Sequence, residues 1–166
     1  MSPSSHPLMA AKQQWLFQQV EVEFPTKESL EGRALYLEKE ADVTMWETSS
    51  LASTFASDDI FLVDFHRLTI LFAQLQSMRW SDAEHQALII EFLTQIIYSP
   101  PCELYLACQQ GRPLAGAIVT RLDNEVLISD LAFAQPKTEQ VKQDWVQGLI
   151  HRLGIDCQSS TIYIAD

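Results

Sequence analysis

Apolar residues in the first quarter of the chain follow two different periods. Residues 8–17 are mostly apolar, in an arrangement that a helix accommodates. Residues 19–24 alternate apolar and acidic side chains, which predicts a half-buried strand. Between residues 27 and 40 the apolar positions return to helical spacing, although Gly32 weakens that helix. Residues 42–46 alternate again and predict a short strand.

The middle of the chain predicts two helices. Residues 60–77 present a broad apolar face, and Ser57-Asp58-Asp59 supplies oxygen atoms that can cap the start of a helix there. Ser81 and Glu84 have the spacing of a capping box, in which each side chain satisfies one backbone donor at a helix start. The helix that they open is apolar on nearly every side, so we expect it to be buried. Pro100-Pro101 ends it.

The last third of the chain changes to strands. Residues 103–109, 113–122 and 125–133 form three strand-like segments separated by short turns, which predicts an antiparallel meander. Residues 138–153 have helical spacing, and a glycine follows them as a helix cap. Residues 161–165 form a last short strand. A strand, a helix and a strand in this order predict a crossover that places the two strands parallel in one sheet.

The elements together predict an α/β (α+β) fold with a mixed, mostly antiparallel central sheet flanked by helices. No repeat, low-complexity run or linker divides the sequence, so we expect residues 1–166 to form a single domain. An apolar content of 47% and a charged content of 20% are those of a globular protein.

Net charge narrows the classes of partner. The chain carries 22 acidic and 11 basic side chains, a net charge of −11, which would repel nucleic acid and anionic membranes. A basic protein or a cationic amine fits this charge, and so does a simple contribution to solubility. No export signal or membrane span is visible, and the three cysteines lack paired spacing. We therefore expect a cytoplasmic protein.

The meander carries a resemblance to a known family. Residues 103–136, ELYLACQQGRPLAGAIVTRLDNEVLISDLAFAQP, place Gly111 in a turn, Gly116 in the second strand and Pro136 after the third strand. This run, together with the order of elements, resembles the core of the GNAT-type N-acetyltransferases. The resemblance covers residues 42–166 and leaves residues 1–41 as an N-terminal extension.

The resemblance implies an acetyl-CoA cofactor and a place for it. In that family a splayed strand presents its backbone to the pantetheine arm, and the helix that follows presents amides to the diphosphate. The corresponding cofactor-binding residues here are Leu131, Ala132, Phe133, Lys137, Thr138 and Lys142. Asp130, on the same strand, is the candidate catalytic base for an amine substrate. The alternative is an Asp on the polar side of the strand that only faces solvent or forms a hydrogen bond.

The chain departs from the family pattern in two places. Glu139, Lys142 and Asp144 occupy positions where the family has an Arg or Gln and two glycines, so two carboxylates would lie near a diphosphate. The sequence also stops at Asp166, before the strands that usually complete the sheet. We expect either the strand at 19–24 or a second chain, in a homodimer, to cover that edge.

Other chemistry finds no support in the sequence. The four histidines are scattered and none has a cysteine within four residues, so no metal is expected. The phosphate-binding, hydrolase and dinucleotide motifs rich in glycine are absent. The resemblance therefore implies a GNAT-like N-acetyltransferase that moves an acyl group from acyl-CoA to an amine. The alternative hypothesis is a non-catalytic GNAT-like protein that binds a protein partner or a small ligand.

Overall fold

The computed structural model describes residues 6–39, 41–47 and 55–166, and its centre is a six-stranded sheet. The strands lie side by side in the order β1, β6, β5, β4, β3, β2. Their bounds are β1 Val43–Met45, β2 Ile60–Leu62, β3 Cys102–Gln109, β4 Arg112–Leu122, β5 Glu125–Phe133 and β6 Thr161–Ala165.

The sheet is mixed and mostly antiparallel, as the sequence predicts. The predicted meander is β3, β4 and β5, each antiparallel to the next. The exception to antiparallel pairing is β5 with β6. These two strands are parallel and are joined through a helix, which confirms the predicted crossover.

Five α-helices surround the sheet in the described part of the chain. They are α1 Pro7–Gln18, α2 Lys27–Glu38, α3 His66–Ser77, α4 Ala83–Leu93 and α5 Glu139–Leu153. Thr138 caps α5 by accepting a hydrogen bond from the Val141 amide, and Gly154 ends it in the left-handed conformation at φ 65°. The predicted helix and its glycine cap are confirmed.

Alternate side chains of the strands contribute to apolar cores on both faces of the sheet. Leu104 and Leu106 of β3 pack with α1, α2, α3 and α4, whereas Tyr105 and Ala107 pack with α5 on the opposite face. Because successive strand residues point to opposite faces, one apolar strand can serve both layers. The result is a sheet between a four-helix layer and a single helix.

The predicted strand at 19–24 is wrong. Helix α1 ends in a turn, with the Val20 amide bonded to the Phe17 carbonyl, and residues 21–24 then cross to α2 without strand structure. Val22 and Phe24 are exposed, with 56% and 85% of their surface accessible. Alternation predicts a strand only where a neighbouring strand can pair, and none of the described strands lies here.

The predicted helix over 60–77 begins six residues later than expected. Residues 57–59 form a short 3-10 turn. The apolar residues 60–62 that follow form β2, which pairs antiparallel with β3. Ile60 is buried, and the Val63 amide donates to the Leu104 carbonyl at 2.8 Å. Residues 60–62 therefore pair with the free edge of β3, and the helix starts only at His66.

The predicted capping box at the next helix is also replaced. The capping residue is Asp82, whose carboxylate accepts hydrogen bonds from the amides of Glu84 and His85 at 2.9 and 3.0 Å. Ser81 lies one residue outside. Helix α4 ends at Leu93, well before the two prolines that we expected to end it. Ile97, which we expected to lie in this helix and to be buried, is 73% exposed.

The strand expected at 19–24 does not cover the edge of β6. Instead β1 pairs antiparallel with it, joining Val43 to Ala165, Thr44 to Ile164 and Met45 to Tyr163. The predicted strand at 42–46 is thereby confirmed. The single-domain boundary and the homodimer stay predictions.

Gly32 provides a test of how α2 and α4 pack. A Cβ atom on Gly32 would overlap the carbonyl oxygen of Leu88 and lie 2.8 Å from the Cβ of Phe92. Alanine would gain about 1 kcal/mol of helix propensity, but the overlap with backbone costs more. We expect Gly32→Ala to lower the free energy of unfolding by about 2 kcal/mol, measured by urea denaturation. Glu31→Ala, on the same helix, should change it by less than about 0.5 kcal/mol. An unchanged or higher stability for Gly32→Ala would contradict this packing.

Candidate functional site

A cleft opens where β5 and β6 stop pairing. The two strands are in register from Glu125 with Thr161 to Ile128 with Ile164. Beyond that point, residues 129–133 of β5 have no strand partner on this side in the described part of the chain. A cavity of about 1160 Å³ lies there, lined by residues 129–137 of β5 and the loop that follows it, and by residues from α1, α2, α3 and the end of β6.

A bulge in β5 shapes the floor of this cleft. Gly116 of β4 pairs with Ala132, and Ile118 pairs with Ser129. Between these two pairs β5 therefore contains one residue more than β4. Asp130 lies in the bulge with φ 54°, in the left-handed region that Asp tolerates better than most residues. Bulges re-aim side chains, and Asp130 lines the cleft.

The carboxylate of Asp130 is buried among donors from α1, α2, the segment after α3, and β5. Lys12 of α1 donates to Oδ2 at 2.9 Å, and Tyr36 of α2 donates to Oδ1 at 2.6 Å. Arg79, just past α3, reaches Oδ1 at 3.3 Å, and the hydroxyl of Ser129 donates to Oδ2 at 2.7 Å. Only 4% of the Asp130 side chain is accessible. The bulge is therefore anchored to the whole N-terminal part of the fold.

Two further contacts complete this cluster. The Gln76 amide donates to the backbone carbonyl of Asp130 at 2.6 Å, and Arg79 donates to the side-chain oxygen of Gln76 at 2.7 Å. Lys12 also donates to the Tyr36 hydroxyl at 2.7 Å. Both the side chain and the carbonyl of Asp130 are thus held in place.

These contacts set the pKa values of the two central groups. Burial alone would raise the pKa of Asp130, but the charges of Lys12 and Arg79 and the hydrogen bond from Tyr36 outweigh it and hold that pKa well below its usual range. Burial, and then the charge of Asp130, raise the pKa of Tyr36 well above its usual value. Asp130 is therefore ionised at neutral pH and binds a proton weakly. The role of Asp130 as a catalytic base stays a prediction, and its low pKa does not favour that role.

The predicted cofactor residues divide into two groups. Leu131, Ala132, Phe133 and Lys137 line the cleft. The other two, Thr138 and Lys142, lie beyond its end at the start of α5, where Thr138 serves as the helix cap.

Asp166 joins the two predicted lysines at this end of the cleft. It forms ion pairs with Lys137 and with Lys142, the latter at 3.0 Å, and Lys142 also lies 3.8 Å from Glu139. The positive charges predicted for a diphosphate thus already have carboxylate partners.

The cleft is more basic than the rest of the chain. Its lining includes four cationic side chains and three carboxylates, against a net charge of −11 for the whole sequence. The cationic residues are Lys12, Lys39, Arg79 and Lys137, and the carboxylates are Asp42, Asp130 and Asp166. A cleft of this charge favours an anionic ligand over a cationic one.

Sequence reasoning missed Lys12, Tyr36 and Arg79. The one available signal was Lys12, a charged residue within an apolar helical segment, because a buried lysine needs a carboxylate partner. Nothing in the sequence indicated that this partner lies 118 residues away. No cluster of three or more potential metal ligands occurs among the described residues, and no helix there is long and apolar enough to cross a membrane.

Comparison with known proteins gives a fold and no family. No protein-family model matches the sequence, and neither does any curated protein. A conserved protein of unknown function from Staphylococcus epidermidis is structurally similar, with a TM-score of 0.50 and 11% identity. The alignment covers 87% of this chain, which spans only 58% of that protein's length. The likeness shows a shared fold.

A second similar structure is a Novosphingobium aromaticivorans protein assigned to the GNAT acetyltransferases. Its TM-score is 0.36 and its identity 13%, over 84% of this chain and 67% of that one. A similarity at this score supports no conclusion about function. The mixed, mostly antiparallel sheet with five helices is consistent with a GNAT-like fold.

The depressed pKa of Asp130 predicts how stability depends on pH. Asp130→Asn keeps a residue that tolerates positive φ but leaves Lys12 without its buried counter-charge, so we expect a loss of about 3 kcal/mol at pH 7. A carboxyl whose folded pKa lies below its unfolded pKa stabilises the fold above the unfolded pKa, near 4. The difference between wild type and variant should therefore be constant above about pH 5 and shrink below about pH 4. Urea denaturation from pH 7 to pH 3 measures it.

A second variant separates charge pairing from packing. The double change Lys12→Met with Asp130→Asn removes both charges and should recover part of the stability lost in the single variant. A stability difference for Asp130→Asn that does not vary between pH 7 and pH 3 would contradict the assigned ion pair.

Proposed function

We propose that this protein binds an acyl-CoA in the cleft beside β5 and transfers the acyl group to an amine, in the manner of a GNAT-type acetyltransferase. The observation that carries the proposal is the parting of β5 and β6 after Ile128 and Ile164. It leaves one edge of residues 129–133 free of strand pairing, next to a cavity large enough for a cofactor arm.

The free edge of β5 suits an extended ligand that carries amide groups. Backbone N–H and C=O groups on a strand edge can pair with such a ligand as they would with another strand. The pantetheine arm of a CoA thioester has this chemistry. Leu131, Ala132 and Phe133 would supply the pairing groups and the apolar wall.

The other end of the cleft would hold the diphosphate. Lys137 lines the cleft next to the N-terminus of α5, where backbone amides and the helix dipole attract anions. Asp166 now accepts from Lys137 and Lys142, but 23% of its side chain is accessible. A diphosphate with two negative charges would compete with this single carboxylate for both lysines.

At the reacting end, Asp130 would act by position. Its four donors and depressed pKa make it a poor acceptor for the amine proton. In this proposal the amine reaches the thioester neutral, or loses its proton to water, and Asp130 keeps the bulge in shape. The nitrogen then forms a bond to the acyl carbon while the carbon–sulfur bond breaks and the thiol leaves with a proton.

A non-catalytic binding protein is the second candidate, and one observation favours it. At the start of α5, Glu139 lies close to Lys142, and Asp166 forms ion pairs with Lys137 and Lys142. Fewer unpaired positive charges are therefore left for a diphosphate. Such a protein would bind an anionic small ligand or a protein partner in the same cleft without turning it over.

Calorimetric titration with acetyl-CoA tests the binding. We expect saturable 1:1 binding, weakened about tenfold in Lys137→Ala because a charged contact to phosphate is lost. Asp166→Asn should bind more tightly, because it removes the competing carboxylate. Lys27→Ala changes charge equally on an exposed part of α2 and should leave affinity unchanged. No heat of binding at millimolar acetyl-CoA would sink the proposal.

The same material separates the two candidates. Release of free thiol from acetyl-CoA in the presence of a panel of amines supports transfer. Binding without thiol release across that panel would favour the non-catalytic candidate.

A further inference from the structure

The inner end of the cleft carries two cations with little carboxylate charge between them: Arg79 shares Asp130 with Lys12, and Lys39 has no ion pair among the described residues. Arg79 follows α3 and Lys39 follows α2, and both line the cleft. They lie over the same aromatic ring, with the Lys39 Nζ atom 4.8 Å and the Arg79 guanidinium carbon 5.3 Å from the centroid of Trp80. The two like charges repel each other, since the charge of Arg79 lowers the pKa of Lys39, and an anion bound to both would offset that repulsion.

Both cations keep donors to spare among the described residues. Arg79 uses one nitrogen, Nη1, for its hydrogen bonds to Gln76 and Asp130, and none is formed by Nε or Nη2 with any described residue. The Lys39 ammonium forms no ion pair or hydrogen bond with any described residue, and it lies over the Trp80 ring. Partial burial, together with the charge of Arg79, lowers the pKa of Lys39, as expected where a negative partner is lacking.

The carboxylates near this end are too few to balance the cations. Asp130 is shared between Lys12 and Arg79, and Asp42 also lines the cleft but forms no ion pair among the described residues. Asp166 is occupied at the far end by Lys137 and Lys142. The inner end is therefore positive in a protein that is strongly negative as a whole.

We propose that Arg79 and Lys39 form an oxyanion-binding site that takes a carboxylate of the acceptor substrate. The proposal rests on the proposed function and specifies its acceptor: an amine that also carries a carboxylate, such as an amino acid. The planar guanidinium supplies a two-pronged contact for a carboxylate, and the ammonium adds a point charge. Such an acceptor keeps the amine that the sequence led us to expect and adds a carboxylate to it.

The position of the site separates it from the diphosphate end. Asp130, which Arg79 contacts, and Lys137 lie seven residues apart along β5 and the loop that follows. The strand portion alone, from Asp130 to Phe133, spans about 10 Å. A cofactor stretched along that edge would place its diphosphate near Lys137 and its acyl group near Asp130. An anion beside Arg79 would then belong to the second substrate, although a CoA phosphate bound in another orientation has the same chemistry.

The first experiment uses inorganic phosphate as the probe at low ionic strength. Trp80 reports on the site through its indole N–H signal in ¹H–¹⁵N spectra, assigned with Trp80→Phe. We expect a saturable shift of this signal, with affinity lowered about tenfold in Lys39→Ala and restored in Lys39→Arg. Lys27→Ala, at the other end of α2, should leave it unchanged. No saturable shift, or equal weakening in Lys27→Ala, would overturn the proposal.

Acetyl-CoA then distinguishes the two sources of the anion. If the site serves the acceptor, acetyl-CoA affinity is the same in Lys39→Ala and wild type, and phosphate still shifts the Trp80 signal when acetyl-CoA is bound. Loss of acetyl-CoA affinity in Lys39→Ala, with displacement of phosphate, would assign the site to the cofactor and overturn the acceptor proposal. Phosphate binding in a protein that does not bind acetyl-CoA would leave the oxyanion site standing and defeat the proposed function.

A final comparison tests the carboxylate itself. Amino acids and the amines that lack only their carboxylate, such as phenylalanine and phenethylamine, form matched pairs for thiol release from acetyl-CoA. We expect higher turnover for the acid member of each pair that is used, and a smaller preference in Lys39→Ala. Preference for the amine lacking the carboxylate would contradict the acceptor class.

Discussion

The buried ion pair between Lys12 and Asp130 is the constraint on which this structure depends. Only 4% of the Asp130 side chain is accessible, so this carboxylate needs an opposite charge and hydrogen-bond donors. Without them the folded state would be destabilised by several kcal/mol. The donors that match it come from α1, α2 and the end of α3, so those elements must meet at one point of β5. The N-terminal extension is thereby part of the site.

The bulge in β5 places this ion pair in the wall of the cleft. With an extra residue in β5, Asp130 adopts a left-handed conformation and turns toward the helices, just past the last residues that pair with β6. Strand divergence and charge are thus combined in one place. The cleft gains a free strand edge on one wall and cations on another, while most acidic residues remain elsewhere on the chain.

The sequence predicted the parts of the fold in which periodicity and turn chemistry agree. The meander β3 to β5 and helix α5, with its glycine cap, are confirmed almost to the residue. The strand predicted at 19–24 failed because alternation describes one segment, whereas a strand also needs an edge to pair with. The segment 60–62 shows the converse, since the open edge of β3 turned an apparent helix start into β2. Both errors arise from long-range pairing that no local window contains.

The candidate site was predictable only on one side. Residues of β5 that line the cleft follow from the resemblance, because they lie on one continuous strand. Lys12 lies in α1, Tyr36 and Lys39 lie in and just after α2, and Arg79 lies just after α3. Their convergence depends on how these three helices pack together. Net charge is uninformative for a related reason: a total of −11 does not show that four of the basic side chains line this cleft.

Mapping the CoA contact on the backbone of β5 tests whether the cofactor lies along the free strand edge. In ¹H–¹⁵N spectra titrated with CoA, we expect saturable shifts of the amides of residues 131–133 and of the amides at the start of α5. Shifts confined to other surfaces, or none at millimolar CoA, would contradict the claim that the parted strands form a cofactor cleft.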